Sequence, residues 1–203
     1  MNELSNTRSV AAKPLWRKLL LIVCVSFASV SMSNPIHAET VIDDFGAGAP
    51  ERWEYIADTV MGGVSKGQVR FETIDGKGVL KLSGTVSTEN RGGFIQVRLL
   101  LAQPLPDNAQ GIWLKVRGNQ QPYFVHLRTS GTLLPWQYYQ GKFEAGEDWQ
   151  VVKVPWSAFN PSAGFSSSLL RETPIAQKIK SIAIVAFGRD HQADIEVAEI
   201  GYY

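Results

Sequence analysis

From Thr40 to the end of the chain, short stretches in which apolar and polar residues alternate follow one another, separated by turns rich in Gly, Pro and Asp. Alternation with a period of two places every second side chain on the same face of a β-strand. Many short strands separated by turn signals are typical of antiparallel β-sandwiches and jelly rolls. The pattern therefore predicts an all-β fold, an antiparallel β-sandwich or jelly roll, with residues 39–203 in a single domain.

Three stretches make the strand prediction specific. "QVRFETIDGKGVLKLSG" alternates on both sides of a turn at "DGKG" and predicts a hairpin. "KIKSIAIVAFG" is apolar on both faces, which indicates a central strand. In "ADIEVAEIGYY" the apolar positions shift from Val197 to Ile200, which predicts a β-bulge. The only helical candidate is short, around "SSSLLRETPIAQ".

The N-terminus has the three parts of an export signal. Arg17 and Lys18 form a positive region, Leu19 to Val30 is apolar, and "IHA" offers a cleavage site after Ala38. The apolar run is shorter than the roughly 20 residues that a membrane-spanning helix needs. We therefore expect residues 1–38 to be a cleaved signal peptide and the mature protein to be periplasmic or secreted, with no stable membrane span.

Cleavage would also change the composition. It removes four of the 20 basic residues and one of the 19 acidic residues, so the net charge falls from +1 to −2. A charge this small gives no indication of nucleic-acid binding. Cys24, the single cysteine, lies in the predicted signal. The mature chain would then have no disulfide and no Cys-ligated metal, so its hydrophobic core must stabilise it.

Two glycine pairs stand out, one in "DTVMGGVSKG" and one in "ENRGGFIQVR". Glycine adopts positive φ and permits close approach of another chain or of a ligand. One interpretation is architectural: the pairs shape the backbone where two loops cross, with Asp58 and Ser65 capping turns. The other is that the loops form one rim of a binding face, with Met61 as an apolar plug over the sheet edge.

The same two stretches carry a family resemblance. The first has Asp58, Met61, Gly62, Gly63 and Ser65, and the second has Glu89, Asn90, Gly92, Gly93, Phe94 and Arg98. This two-part pattern resembles the signature of the complex I intermediate-associated protein 30 family, and "LKVRGN", "YYQGKF" and "WQVVKVPWSAFNP" follow in the family's order. The resemblance implies a galactose-binding-like jelly roll, a fold shared with carbohydrate-binding modules. Mitochondrial members of the family are chaperone-like assembly factors, so the resemblance implies protein binding.

Aromatic and basic residues share several predicted strand faces. They are Phe94, Gln96 and Arg98; Trp113, Lys115 and Arg117; His126 and Arg128; and Trp136, Tyr138 and Gln140. If these faces coincide on the concave sheet, they form a platform suited to stacking sugars or to a protein contact rich in rings and arginines. The alternative is that the rings belong to the core and the charges are solvated.

The sequence offers little for catalysis or metal binding. It has no GxSxG motif, and "GGVSKG" lacks the strand-to-helix context of a phosphate-binding loop. Asp43 and Asp44 are interpreted as surface acids. The Asp190, His191 and Asp194 cluster is interpreted as a polar turn in preference to a metal site. We expect no enzyme and no cofactor, and the sequence predicts no metal ligands, although a structural Ca²⁺ is compatible with such a fold where several oxygens converge.

These observations predict a non-catalytic binding protein of the cell envelope. The first hypothesis is an assembly or chaperone-like factor with a protein partner, and the alternative is a carbohydrate-binding module that recognises a glycan. The candidate binding residues are those of the two glycine stretches and the platform: Asp58, Met61, Gly62, Gly63, Ser65, Asn90, Gly92, Gly93, Phe94, Arg98, Trp113, Arg117, Trp136 and Tyr138.

Overall fold

The computed structural model describes residues 39–162 and 173–203. This part of the chain consists almost entirely of strands joined by turns and single helical turns. The strands are β1 Thr40–Asp43, β2 Trp53–Ala57, β3 Lys66–Ile74, β4 Lys77–Val86, β5 Phe94–Leu100, β6 Gly111–Gly118, β7 Gln121–Thr129, β8 Tyr139–Ala145, β9 Gln150–Pro155, β10 Phe159–Pro161, β11 Ile179–Phe187 and β12 His191–Tyr202.

The strands form two antiparallel sheets. In sheet A the order is β3–β4–β12–β6–β9, with β1 also paired to β12; in sheet B it is β10–β8–β7–β11–β5–β2. Strands that follow one another in the chain often lie in different sheets, as β5 and β6 do, so connections cross between the layers. The predicted all-β antiparallel sandwich is confirmed.

The core lies between the two sheets and follows the predicted alternation. In β6 the inward side chains are Ile112, Leu114 and Val116, and all are fully buried. The inward side chains of β7 are Tyr123, Val125 and Leu127, which are fully buried as well. β11 lies between β7 and β5 at the centre of sheet B, as its apolar sequence indicates. The core therefore fixes which side chains of each strand face outward.

Both local predictions for the strands are confirmed. β3 and β4 form a hairpin in which Ile74 pairs with Lys77. The two turn residues, Asp75 and Gly76, both have positive φ, 51° and 77°. This is the backbone of a type I′ turn, which Asp-Gly favours. In β12 the register against β6 shifts between Val197 and Glu199, where the sequence predicts the bulge.

Two features near the N-terminal end of the sandwich differ from expectation. A one-turn helix, α1 (Ala49–Arg52), has no counterpart in the prediction. The interpretation of Asp43 as a surface acid is wrong, because its side chain is buried and accepts hydrogen bonds from Arg52, from Nε1 of Trp53 and from the Phe45 N–H. Asp44 is exposed, as predicted.

Two predictions fall wholly or largely outside the described residues. The signal peptide at residues 1–38 is one of them, and the short helix around residues 166–177 is the other. Within the described part of that second stretch, Ala176–Lys178 forms a single 3-10 turn. None of the helices in the described ranges is long and apolar enough to span a membrane.

Candidate functional site

The two glycine stretches meet at one buried carboxylate. Asp58 begins a 3-10 turn, Asp58–Met61, and its side chain is fully buried. Its Oδ1 accepts a hydrogen bond from the Ser65 N–H at 3.0 Å, and its Oδ2 accepts one from Ser65 Oγ at 2.5 Å. From the second stretch, the N–H groups of Gly93 and Phe94 donate to the same Oδ2 at 2.6 and 3.2 Å. We call these groups the Asp58 cluster.

The glycines of the cluster leave room for this carboxylate. A Cβ atom on Gly63 would lie 2.3 Å from Cγ of Asp58, and one on Gly92 would lie 2.4 Å from its Oδ2. No side chain fits at those distances unless the carboxylate moves. Their partners, Gly62 and Gly93, have φ of 92° and 123°, which L-residues rarely adopt. Each pair therefore combines one glycine needed for space with one needed for conformation, which supports the architectural interpretation.

The hydrogen bonds keep the carboxylate of Asp58 ionised. Burial raises the pKa of Asp58. The hydrogen bonds from Gly93, Ser65 and Phe94 together lower it by more than burial raises it, so the pKa lies below its ordinary value. Ser65 extends the cluster to the end of β4, since its Oγ accepts a hydrogen bond from the Ser87 N–H at 3.0 Å. The cluster thus ties the loop before β3 to the start of β5.

The tip of the first loop points outward. Val60 is 74% exposed and Met61 is 62% exposed. Met61 therefore does not plug the sheet edge, and the buried side chain of this turn is that of Asp58. In the second loop, Asn90 is exposed and has a left-handed φ of 56°. Contact of either loop with a ligand stays a prediction.

The predicted platform is only partly formed. Three of its four faces, on β5, on β7 and at the start of β8, lie on the outer face of sheet B. The fourth, with Trp113 and Arg117, lies on β6 in sheet A. The four faces do not all coincide, because alternation shows which side of a strand a residue occupies but not which sheet contains the strand.

The two β6 residues also have structural partners. Trp113 is only 3% exposed, donates from Nε1 to the Tyr202 carbonyl at 3.2 Å and lies over Gly201, where no side chain stands in its way. Arg117 pairs with Glu196 and lies over the ring of Trp149, 4.8 Å from its centroid. Neither residue lies with the aromatic and basic residues on the outer face of sheet B.

Rings and guanidinium groups are concentrated on the outer face of sheet B. Cross-strand pairs align Arg98, Ala183 and His126 in one row, and Gln96, Val185 and Phe124 in the next. The candidate binding face, as we use the term here, consists of Phe94, Gln96, Arg98, Phe124, His126, Arg128, Tyr138 and Phe187, above a floor formed by the small outward residues of β11, Ser181, Ala183 and Val185.

The rings of this face pack against one another. Tyr138 stacks on His126 with centroids 4.0 Å apart, and Phe187 meets both rings edge-on. His126 is 7% exposed, and Nε2 hydrogen-bonds Oε1 of Gln140 at 3.0 Å. Burial lowers the pKa of His126 to about 3, against the hydrogen bond to Gln140, which raises it. His126 is therefore a neutral packing group at physiological pH.

Two arginines cross the face beside these rings. Nη2 of Arg98 donates to Glu54 at 2.6 Å, and Nη2 of Arg128 donates to the Thr132 and Leu134 carbonyls at 3.1 and 3.2 Å. The side chain of Arg98 is 25% exposed. Burial, and then the positive charge of Arg98, lower the pKa of Arg128, so the two cations act on each other.

Exposed apolar residues lie at both ends of this face. At the end where β5 begins they are Val60 and Met61. At the other end Leu100 is 66% exposed, and the loop that Arg128 holds carries Leu133, Leu134 and Trp136, at 82%, 43% and 56% exposure. Trp136, predicted on a strand, thus lies in a turn at the margin of the face, whereas Tyr138 belongs to the face.

Sequence reasoning missed Phe124 and Phe187 as members of the face. The sequence pattern could have identified Phe124, because strand alternation puts it on the same side as His126 and Arg128. Phe187 ends a strand that is apolar on both sides, so no pattern distinguishes its outer residues. The described residues contain no group of three or more His, Cys, Asp or Glu side chains that could hold a metal ion.

Comparison with known proteins gives a family and a fold. The sequence model of complex I intermediate-associated protein 30 (CIA30) matches residues 44–197. A comparison with curated protein sequences gives no match.

Solved structures with the same architecture include binding modules and an enzyme. One is a family 11 carbohydrate-binding module of the cellulosomal cellulase Lic26A-Cel5E of Clostridium thermocellum, with 14% identity, a TM-score of 0.64, and coverage of 81% of this chain and 94% of that one. The family 11 module from Clostridium thermocellum in complex with a beta-1,3-1,4-mixed-linked tetrasaccharide gives the same values. The agarase AgWH50C has 10% identity and a TM-score of 0.53 over 81% of this chain and 24% of its own. At these identities the likeness shows the fold alone.

Proposed function

Because the chain belongs to the complex I intermediate-associated protein 30 family, we propose that it is a non-catalytic binding protein of the cell envelope. It holds a protein partner on the candidate binding face and acts as an assembly or chaperone-like factor. The observation that carries this proposal is the exposure of large apolar side chains at both ends of a face that also carries two arginines. Aromatic residues and arginine are enriched at the centres of protein interfaces.

The exposed side chains favour a protein over a sugar. Leu100, Leu133 and Met61 are aliphatic and more than half exposed. Burying one such side chain in a partner contributes about 1–2 kcal/mol, whereas sugars bind mainly by stacking on flat rings. The rings of the face present few free faces, since Tyr138 covers His126 and Phe187 meets both edge-on. A face with exposed aliphatic side chains at its margins fits a protein partner best.

Arg98→Ala is expected to weaken partner binding at least about tenfold and to leave the melting temperature almost unchanged, because the ion pair that Arg98 forms is with Glu54, which is 61% exposed, and surface ion pairs contribute little to stability. The measurement is capture from envelope extract by the purified wild-type and variant proteins, followed by titration with the captured partner. Arg70→Ala is the matched control, an exposed arginine on β3 in sheet A. Equal binding by wild type and Arg98→Ala would contradict the proposed face.

A glycan is the second candidate ligand, favoured by the fold shared with family 11 carbohydrate-binding modules, one of them solved with a bound tetrasaccharide. Gln96, Gln140 and the arginines offer groups that hydrogen-bond hydroxyls. A glycan array probed with the same purified protein separates the candidates. Binding to a glycan that Arg98→Ala abolishes, with no protein captured, would replace the assembly-factor proposal.

The proposed location in the envelope depends on the N-terminal segment. Its support is the order of positive, apolar and small residues that ends at Ala38. The protein is expected in the envelope or the medium with Glu39 as its first residue. Recovery from the cytosol with Met1 still in place would contradict this location.

A further inference from the structure

Two buried donors on the candidate binding face have no partner. Across residues 39–162 and 173–203, the Nε atoms of Arg98 and Arg128 are both buried and without a hydrogen bond. Buried polar groups are nearly always paired, so each such atom needs an explanation. Arg98 and Arg128 lie on the same face, on strands that flank the same central strand.

The side chains of β11 that lie between these two arginines, and form the floor there, are short. On β11, Ala183 pairs with Arg98 on one side, and Ser181 pairs with Arg128 on the other. Both floor residues are small, and both are about 4% exposed beneath the longer side chains. The longer neighbouring side chains therefore cover this floor, and no side chain of β11 stands between the two arginines.

The charges around the two arginines are not balanced. Glu54 engages Nη2 of Arg98 from the edge strand, and it is itself 61% exposed. Arg128 is held by two backbone carbonyls, and His126 beside it is neutral. One carboxylate thus faces two guanidinium groups, and the repulsion between them is relieved when a second anion binds.

We propose that a carboxylate of the protein partner, from a Glu or Asp side chain, binds between Arg98 and Arg128 above Ser181 and Ala183, where the two arginine side chains turn to donate hydrogen bonds to it from Nε. Carboxylates match the planar fork of guanidinium groups, and charge-assisted bonds of this kind are strong. This inference rests on the proposed function and names the chemistry of the partner's central contact.

The test follows the two donors directly by NMR. The ¹⁵N-labelled purified protein is titrated with Nα-acetylglutamate amide at constant ionic strength, and the arginine Nε–H resonances are assigned with Arg98→Lys and Arg128→Lys. Both resonances are expected to shift along one saturable curve.

Arg117 and Arg52, whose Nε atoms already donate to Glu196 and Asp43, are internal controls that should not shift. In Arg98→Lys, the Arg128 response should be at least about fivefold weaker, because the second donor is lost.

Nα-acetylglutamine amide, which has the same shape and no charge, should give no response. No shift with the glutamate derivative, or equal shifts with both derivatives, would overturn the inference. Shifts with methyl glucuronide alone would assign the arginine pair to an acidic glycan and overturn the proposal that the carboxylate comes from a protein. Partner capture that Arg98→Ala abolishes and Arg128→Lys leaves unchanged would also overturn it while the proposed function stands. Absence of any captured partner instead counts against the proposed function and is measured separately.

Discussion

Asp58→Asn is expected to lower the free energy of unfolding by about 3–5 kcal/mol, because it removes the charge and replaces with an NH₂ donor one of the two oxygens on which both glycine loops converge. Three donors reach Oδ2 and one reaches Oδ1. An amide in either orientation sets its NH₂ group against at least one backbone N–H, of Ser65 or of Gly93 and Phe94, at a side chain that is fully buried. Urea unfolding of the purified protein at pH 7 measures the difference.

The pH dependence of this stability difference distinguishes the effect of the lost charge of Asp58 from the effect of a changed side-chain shape. The pKa of Asp58 in the folded protein lies below its ordinary value, so its contribution is complete above the unfolded pKa, near 4, and is lost as the pH falls through the folded pKa. The gap between wild type and Asp58→Asn should therefore narrow as the pH falls from 6 toward 3. Asp75→Asn, in the exposed hairpin turn that tolerates Asn, is the matched control and should change stability by less than about 0.5 kcal/mol. A gap that stays constant over this range would show that the charge of Asp58 is not what stabilises the loops.

Gly63→Ala is expected to destabilise the protein by about 3 kcal/mol or more, although it adds only one carbon. The new Cβ would lie 2.3 Å from Cγ and 2.4 Å from Oδ1 of Asp58, so the carboxylate must leave its donors. Since both changes break the same contacts, the double variant Gly63→Ala/Asp58→Asn should lose much less than the sum of the single losses. Thermal and urea unfolding of the four proteins measure this coupling.

Gly146→Ala provides the control for the glycine change. The nearest atom to its added Cβ belongs to the side chain of Gln150 at 3.7 Å, an ordinary contact. It should alter stability by less than about 1 kcal/mol. If Gly63→Ala proves as stable as Gly146→Ala, or if its loss adds fully to that of Asp58→Asn, the close packing around Asp58 does not hold the two loops.

Much of the sandwich could be predicted from the sequence, because the patterns that indicate its strands and turns are local. The alternation in β6 and β7, the Asp75–Gly76 turn and the bulge near Val197 each depend on a few neighbouring residues. The convergence on Asp58 does not, since the N–H of Gly93 lies 35 residues away from it in the chain. The glycine pairs and the resemblance to the family rest on the residues that build this cluster, yet only the folded chain shows that they share one carboxylate.

The candidate face was predicted in part for a similar reason. Alternation correctly put Arg98, His126 and Arg128 on the outer sides of their strands, but strand order decides whether those sides meet. β6 joins sheet A, which separates Trp113 and Arg117 from the other candidates. Trp113 is also covered although it faces outward, because it lies over Gly201 and donates to Tyr202. Neither fact follows from residue spacing within one strand.

The central claim is that a protein partner binds the outer face of sheet B, and site-specific photo-crosslinking in intact cells tests it most directly. A photoreactive benzoylphenylalanine is introduced at Leu100, which is 66% exposed at the end of this face, or at Val151, which is 54% exposed on β9 of sheet A. The account predicts a crosslink to one envelope protein from position 100 that Arg98→Ala abolishes, and no such crosslink from position 151. The same protein crosslinked equally from both positions, or from position 151 alone, would contradict it.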